Sequence, residues 1–377
     1  MPDKRLHIVS FDIPYPPNYG GVIDVFNKIR LLSAKGVGIT LHCFEYPGRK
    51  RAPELTRYCD EVHYYPRLTG LRSAISFKPY IVTSRRSEEL VANLLRDDAP
   101  ILFEGLHSCY YLADERLRDR LKIYRESNIE HRYYYSLFKA DRKLFNKAYF
   151  LSASLKLRLY QRVLKHAGLM LAVSRNDARY LAGRFPHNRV EYLPSFHPNG
   201  QPDILTGRGE YALYHGNIEV PENSRAVEYL VTKIFNDLPY PFVIAGMKPP
   251  PRIREMVKQY PRISLVPDPD EATLLHLIRN AQLHTLVTFQ ATGLKLKLLN
   301  TLFNGRFCLV NPRMLDGTDL DSLCEVAGDS RSLKEKIPLL FEKNFDDGEV
   351  SRRKEILGRD YSNEDNADRL IRLVFEG

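Results

Sequence analysis

No run of 18 apolar residues occurs in the 377-residue chain, so no segment reads as a membrane-spanning helix. The opening Met1-Pro2-Asp3-Lys4-Arg5-Leu6-His7 leads into a strand-like run too short and polar for a signal sequence. Cysteine is sparse. Cys43, Cys59, Cys109, Cys308 and Cys324 are scattered, with no CxxC and no histidine pairing, a pattern of reduced cytoplasmic thiols rather than zinc ligands or disulfides. The GxGxxG signature is missing, so a nicotinamide Rossmann site has no support. Nucleic-acid motifs are missing too, and nucleic acid is not an expected partner. What the chain has in excess is positive charge, +10 net, which predicts polyanionic or anionic-membrane surfaces as neighbours.

The pattern is α/β throughout. In the first half, strand-like runs fall at 6–11, 39–44, 61–65, 101–103, 122–124 and 169–173, with helical spacing at 22–34 and 86–97. The stretch 190–203 begins as a strand and ends in Pro, Asn and Gly, the composition of a hinge. A second alternation follows, with strands at 211–215, 242–245, 263–266, 285–289 and 307–310. Helices are expected at 222–235, 250–259, 271–281 and from Thr292-Gly293 to Asn304-Gly305, and a last one at 363–375. Two domains are therefore expected, 1–203 and 204–358, with 359–377 packing back on the first.

Polar residues just past the ends of parallel strands are where such sheets bind ligands. Gly20 and Gly21 follow the first strand, where a tight turn would need glycine. Glu104 and His107 follow the strand at 101, and Glu126 and His131 the strand at 122. Thr292-Gly293-Leu294-Lys295-Leu296-Lys297 links a strand to a helix. Backbone N–H groups there can face an anion, and a bound anion would offset the unfavourable placing of Lys295 and Lys297 near the helix start. Asp268-Pro269-Asp270 looks like a metal-binding Asp-x-Asp. The apolar face of Leu274, Leu275 and Ile278 that follows makes it a helix cap instead. From His131 to His166, Arg132, Lys139, Arg142, Lys143, Lys147, Lys156, Arg158, Arg162 and Lys165 alternate with aromatics, which predicts long helices. They would serve either as a solvated flank or as a docking surface for an anionic bilayer or lipid-linked acceptor.

Pro17-Asn18-Tyr19-Gly20-Gly21, Ala172-Val173-Ser174-Arg175-Asn176-Asp177, Tyr214-His215-Gly216-Asn217 and Gly293 to Asn300 with Gly305, in that order, resemble the GT-B glycosyltransferases. The resemblance is closest to their retaining, nucleotide-sugar-dependent branch, which builds bacterial polysaccharides and lipopolysaccharides. It implies two Rossmann-like doubly wound domains facing across a cleft. It implies transfer of a hexose from a nucleotide diphosphate sugar to a glycan or lipid-linked acceptor, with retention and without a metal or other cofactor. The protein would be cytoplasmic, or peripheral on the inner face of the membrane. Glu104, His107, Glu126 and His131 would then be the catalytic-side contacts to acceptor or sugar. Gly20, Gly21, Gly216, Asn217, Val266, Thr292, Gly293, Lys295, Lys297 and Asn300 would bind substrate. The branch normally carries glutamates where this chain has Thr292 and Asn300, and an Arg and a Lys where it has the 216–223 stretch. Those departures keep two alternatives open: a catalytically weak binding or scaffold protein of the same fold, and a nucleotide-sugar epimerase.

Overall fold

A computed structural model describes residues 4–46, 48–70, 76–141, 143–289 and 296–377. The chain divides into two compact units. One combines Met1–Pro198 with Asn363–Gly377, and the other holds Asn199–Ala291 and Lys295–Ser362.

The first unit is built on a parallel sheet of β1 (Arg5–Ser10), β2 (Gly38–Phe44), β3 (Glu61–Tyr65), β4 (Ile101–Glu104), β5 (Lys122–Arg125), β6 (Leu169–Ala172) and β7 (Arg189–Tyr192). The strand order is β3-β2-β1-β4-β5-β6-β7. Both faces are buried along the inner strands, and successive residues divide between them as the two-residue period of a strand requires. Leu6, Ile8, Ile39, Leu41, Leu102, Ile123 and Leu169 pack in one cluster. Val9, Phe44, Ile101, Phe103, Tyr124 and Met170 pack in another. The first cluster is covered by α1 (Gly20–Ala34) and completed by Ala367, Leu370, Ile371 and Val374 of the C-terminal helix Asn363–Phe375. The other is flanked by α2 (Glu88–Leu94), α3 (Glu130–Ala140), α4 (Leu144–Tyr160) and α5 (Arg175–Arg184). Ser87 caps α2 by accepting the Leu90 N–H, so that helix starts later than its spacing alone predicts.

The second unit has β8 (Ala212–Asn217), β9 (Phe242–Met247), β10 (Ile263–Pro267), β11 (Leu283–Leu286), β12 (Phe307–Val310) and β13 (Glu325–Val326), in the order β10-β9-β8-β11-β12-β13. Its helices are α6 (Pro221–Tyr229), α7 (Pro251–Val257), α8 (Glu271–Asn280), α9 (Leu296–Asn304), α10 (Ser330–Glu342) and α11 (Asp347–Tyr361), and Asn363–Phe375 is α12. Asp270 caps α8 by accepting the Thr273 N–H, so this aspartate serves the helix, with Pro269 just outside it.

Other boundaries also differ from the sequence expectation. The helix expected over 222–235 is α6 followed by a π-helical turn, Leu230–Ile234. The strand expected at 285–289 is β11, which is shifted toward the N-terminus and ends at Leu286. Val287 continues apolar, but Thr288 turns to bond Asn311 rather than a neighbouring strand. Gly20 and Gly21 are the first residues of α1, not a turn before it. Glycine is needed at Gly21 for approach: a Cβ there would lie 2.6 Å from Phe11 Cζ.

Candidate functional site

In each sheet the strand order reverses once, between β1 and β4 and between β8 and β11. A reversal leaves a crevice at the C-terminal strand ends, because the flanking connections leave toward opposite faces.

At the β1/β4 crevice, Phe11 and Asp12 follow β1 and His107 follows β4. The Phe11 and His107 rings lie 5.4 Å apart. Asp12 Oδ1 accepts the Ile13 N–H at 2.8 Å, Oδ2 accepts the Tyr19 hydroxyl at 2.5 Å, and the Arg49 Nε is 3.7 Å from Oδ1. Arg85 donates to the Phe11 carbonyl at 2.8 Å. His107 Nδ1 stands 3.8 Å from Glu130 Oε1, beyond hydrogen-bonding distance, and is enclosed without a hydrogen-bond partner among the described residues. Burial, then the charges of Arg85 and Arg67, hold His107 well below the usual imidazole range. Burial also pushes Glu130 up to about 8, against the pull of Arg85. Near neutral pH the pair is therefore an uncharged imidazole beside a protonated carboxyl, a combination that can accept from and donate to a ligand hydroxyl.

Gly21 packs against Phe11 at this crevice, whereas the remaining carboxylate and histidine candidates of this unit are held by other partners. Glu104 is 2% exposed and its Oε1 takes the Lys28 ammonium at 2.6 Å. Lys28 also holds Asp24 at 3.0 Å, and Arg125 reaches Asp24 at 3.2 Å and the carbonyls of Leu193 and Pro194. Asp24 Oδ1 accepts the Phe196 N–H at 2.6 Å. This buried quartet of two acids and two bases ties α1, β4 and β5 to the segment after β7. Burial opposes the charge on Asp24, but Arg125 and Lys28 outweigh it and bring its pKa to about 2. Glu126 is fully enclosed. Its Oε2 accepts the Val173 N–H at 3.1 Å, its Oε1 has no partner among the described residues, and burial followed by Asp177 drives it well above the carboxylate range. His131, next to Glu130 in the first turn of α3, points into a different pocket, beside Tyr180.

At the β8/β11 crevice, Lys297 in the first turn of α9 donates to Asn223 Oδ1 at 2.9 Å and to the Tyr214 hydroxyl at 3.1 Å. Gly216, next to last in β8, has φ +150°, a region that disfavours any side chain, and a Cβ there would sit 3.9 Å from Lys297 Cδ. The Asn217 carbonyl accepts from Asn223 at 2.8 Å, which fixes the loop after β8. Thr288, just past β11, donates its hydroxyl to Glu222 at the start of α6. Asn300 faces Asn304, whose Nδ2 bonds the Asn300 carbonyl and Oδ1 at 2.9 and 3.0 Å. Beneath them His215 bonds Thr301 Oγ1 at 3.0 Å, and burial, then Lys297, lowers its pKa to about 3. Val266 does not line this crevice: it packs against Leu213, Ala245 and Ile278 near the sheet edge. Thr292, Gly293 and Lys295 lie outside the described residues.

Glu130, Tyr214, Asn223 and Arg85 are not among the residues that the sequence singles out. Glu130 could have been found as an acid opening a helix beside His131. Arg85 carries no local signal, since its role comes from the fold bringing it to Phe11.

The chain has the GT-B fold, two Rossmann-like α/β domains. It matches glycosyltransferase structures of that fold from end to end. TarM superimposes with a TM-score of 0.70 at 11% identity over 99% of both chains. HepE of Anabaena, in complex with UDP and glucose, gives 0.64 at 10% identity over 98% of both chains. A UDP-forming trehalose-phosphate synthase from Burkholderia xenovorans in complex with glucose-6-phosphate gives 0.64 at 12% identity, over 99% of this chain and 100% of that one. At these identities the likeness concerns the fold. By sequence, the chain is 27% identical over 241 residues to an uncharacterized 44.6 kDa protein in a cps region of Klebsiella pneumoniae, covering 61% of this chain and 60% of that protein. No family model matches the sequence.

Proposed function

We propose that the protein transfers a hexose from a nucleotide diphosphate sugar to a glycan or lipid-linked acceptor, with retention at the sugar carbon. The observation that carries this is the end-to-end GT-B likeness, which includes a structure holding UDP and glucose. The second unit would bind the donor. Lys297, held by Tyr214 and Asn223 at the switch point of its sheet, would meet the diphosphate, and Gly216 would let the backbone approach it. Positive charge placed where the leaving diphosphate gains charge lowers the barrier, and this reading needs no metal to do so. Asn300 would take a ribose hydroxyl once Asn304 releases its side chain. In the first unit the His107–Glu130 pair would hold a hydroxyl of acceptor or sugar, with Glu104 in a positioning role through Lys28. The basic stretch 131–166 would hold the protein on an anionic bilayer, and the relative in a cps region supports a surface-glycan setting.

The test is release of nucleoside diphosphate from a panel of nucleotide sugars, with and without glycan or lipid-linked acceptors. Acceptor-stimulated release is expected, unchanged by EDTA, with the donor's anomeric configuration kept in the product as read by NMR. Donor binding without any release would instead favour the scaffold alternative. A changed sugar that remains attached to its nucleotide would favour the epimerase.

A further inference from the structure

A cavity of about 390 Å³ opens on the first unit, lined by His131, Arg132, Arg158, Gln161, Tyr180 and Arg184. That volume is within the range of small-molecule pockets, roughly 300–1,000 Å³. Three elements build it: the first turn of α3, the end of α4 and the second half of α5. Among the described residues no carboxylate lines it. Among the described residues none of its three arginines forms an ion pair, whereas Arg116, Arg120 and Arg125 of the same unit each have one. Arg132 lies 4.2 Å over the Tyr180 ring, and the Tyr180 hydroxyl donates to Gln161 Oε1 at 2.9 Å, so two walls are fixed in place. Three guanidiniums gathered without a counter-charge repel one another, and an anion accepting from all three would reverse that cost. Their planar forks match the oxygens of a phosphate.

A second, independent observation says what the phosphate is attached to. On α4, Leu151, Leu155 and Leu159 are exposed, the last two at 57% and 62%. They recur at four-residue spacing, and Arg158 lies seven residues after Leu151, so one helix face carries the leucines up to the arginine that enters the pocket. The inner face carries Leu157 and Ser154, both buried. Leu144 and Phe145, at 84% and 86% exposed, extend the apolar surface at the far end of the helix. An apolar stripe ending in an arginine pocket matches an amphiphile with a phosphate head.

We propose that the α3–α4–α5 pocket binds the phosphate head of a lipid whose chains lie along Leu151, Leu155 and Leu159. This deepens the bilayer part of the proposed function, which asks only for diffuse basic charge, by naming a built site and its ligand chemistry. The full-length protein would be sedimented with phosphatidylcholine vesicles containing phosphatidic acid or phosphatidylglycerol at matched surface charge. Phosphatidic acid, with its terminal monoester, should bind roughly tenfold more tightly. The double variant Arg158→Gln/Arg184→Gln should erase that preference. Lys143→Gln/Lys165→Gln, with the same change in charge, should weaken both lipids alike and keep the preference. Leu155→Ser/Leu159→Ser should lose vesicle binding and still bind soluble glycerol phosphate.

Equal binding of the two lipids, or arginine and lysine pairs that behave alike, would overturn the proposal in favour of diffuse attraction. Glycerol phosphate binding with no vesicle binding would make this a free-phosphate site. A single-stranded oligonucleotide displacing the lipid through the same arginines would reassign the pocket to nucleic acid, and both results also overturn it. Nucleoside diphosphate release from the nucleotide sugar with a soluble acceptor and no vesicles is the separate readout of the sugar-transfer reading, and it should be the same in all three variants.

Discussion

At the scale of single residues, charge is organised by burial. Glu104 occupies the place of a catalytic carboxylate by sequence, yet Lys28 fills its hydrogen-bonding reach and Asp24 and Arg125 close the group. Breaking one member of a buried ion group leaves a charge unpaired, at a cost of about 3–5 kcal/mol. Asp24→Asn is therefore expected to lower the denaturation midpoint strongly, and Glu104→Gln to lower it too, with any loss of turnover following the loss of fold. A Glu104→Gln protein of native stability with turnover abolished would restore Glu104 as a direct participant. Glu130 gives a prediction with a pH sign. Its folded pKa is raised from 4.5 to about 8, so it holds its proton more tightly folded than unfolded. The stability this contributes is complete below 4.5 and is lost as pH rises toward 8. Glutamine loses nothing over that window, so Glu130→Gln should gain on the wild type in melting temperature as pH rises from 4.5 to 8. A constant difference across the window would show an ordinary carboxylate. The quartet could not be read from the sequence. Asp24 and Lys28, four residues apart on a helix, look like a solvated surface pair, and their other partners lie 76 and 101 residues away.

At the scale of elements, local pattern was a good guide wherever packing agreed with it. β3, β12 and α12 fall where alternation and helical spacing place them, because each has a continuous apolar signal bounded by polar or turn residues. Side-chain bonding decided the exceptions, as at Thr288 past β11 and Ser87 before α2. Of the donor-side candidates, Gly216, Asn217, Lys297 and Asn300 fall at or beside the β8/β11 crevice, since strand ends can be seen in a sequence. Tyr214 and Asn223 could not be picked out, because their importance is contact with Lys297 across 83 and 74 residues. The start of α9 gives a further prediction. Lys297→Ala should weaken binding of a nucleoside diphosphate more than of its nucleoside, measured by calorimetry. Equal loss for both would place the lysine away from the phosphates. The other end of α9 is held by Arg353, 2% exposed, which donates to the carbonyls of Leu302, Gly305 and Arg306. A cation on the last carbonyls satisfies them and complements the helix dipole. Arg353→Met should cost roughly 2–4 kcal/mol in chemical denaturation, since three buried acceptors lose their donor. A change within error would mean that water takes over those bonds.

At the scale of the whole molecule, chain order and domain order differ. The second unit is inserted into the first, because the chain returns after Ser362 to finish the core it began at β1. Asn363 fixes the return: its Nδ2 donates to the His197 carbonyl at 2.7 Å and its Oδ1 accepts the His197 N–H at 3.2 Å. Lys35 at the end of α1 then pairs with Glu364 and Asp368 at 3.0 and 2.8 Å. Both acids are largely exposed, so these pairs set register more than they add stability. Packing supplies the energy. Ala367, Leu370, Ile371 and Val374 enter the cluster that holds Val25, Ile29 and Leu32 of α1. Burying a Leu, Ile or Val side chain stabilises by about 1.5–3 kcal/mol, so three of them are comparable with the roughly 5–15 kcal/mol that holds a whole domain. Removing residues 363–377 should therefore unfold the first unit and spare the second, whose sheet has its own core around Leu213, Ala245 and Ile278. Hydrogen exchange read by mass spectrometry separates the two. Amides of β1 and β2 should lose protection in the truncated chain, while those of β8 and β9 keep theirs and still gain protection from a nucleoside diphosphate. If β8 exchanged as fast as β1, the two units would be one cooperative body, and the insertion would have no energetic boundary at Ser362.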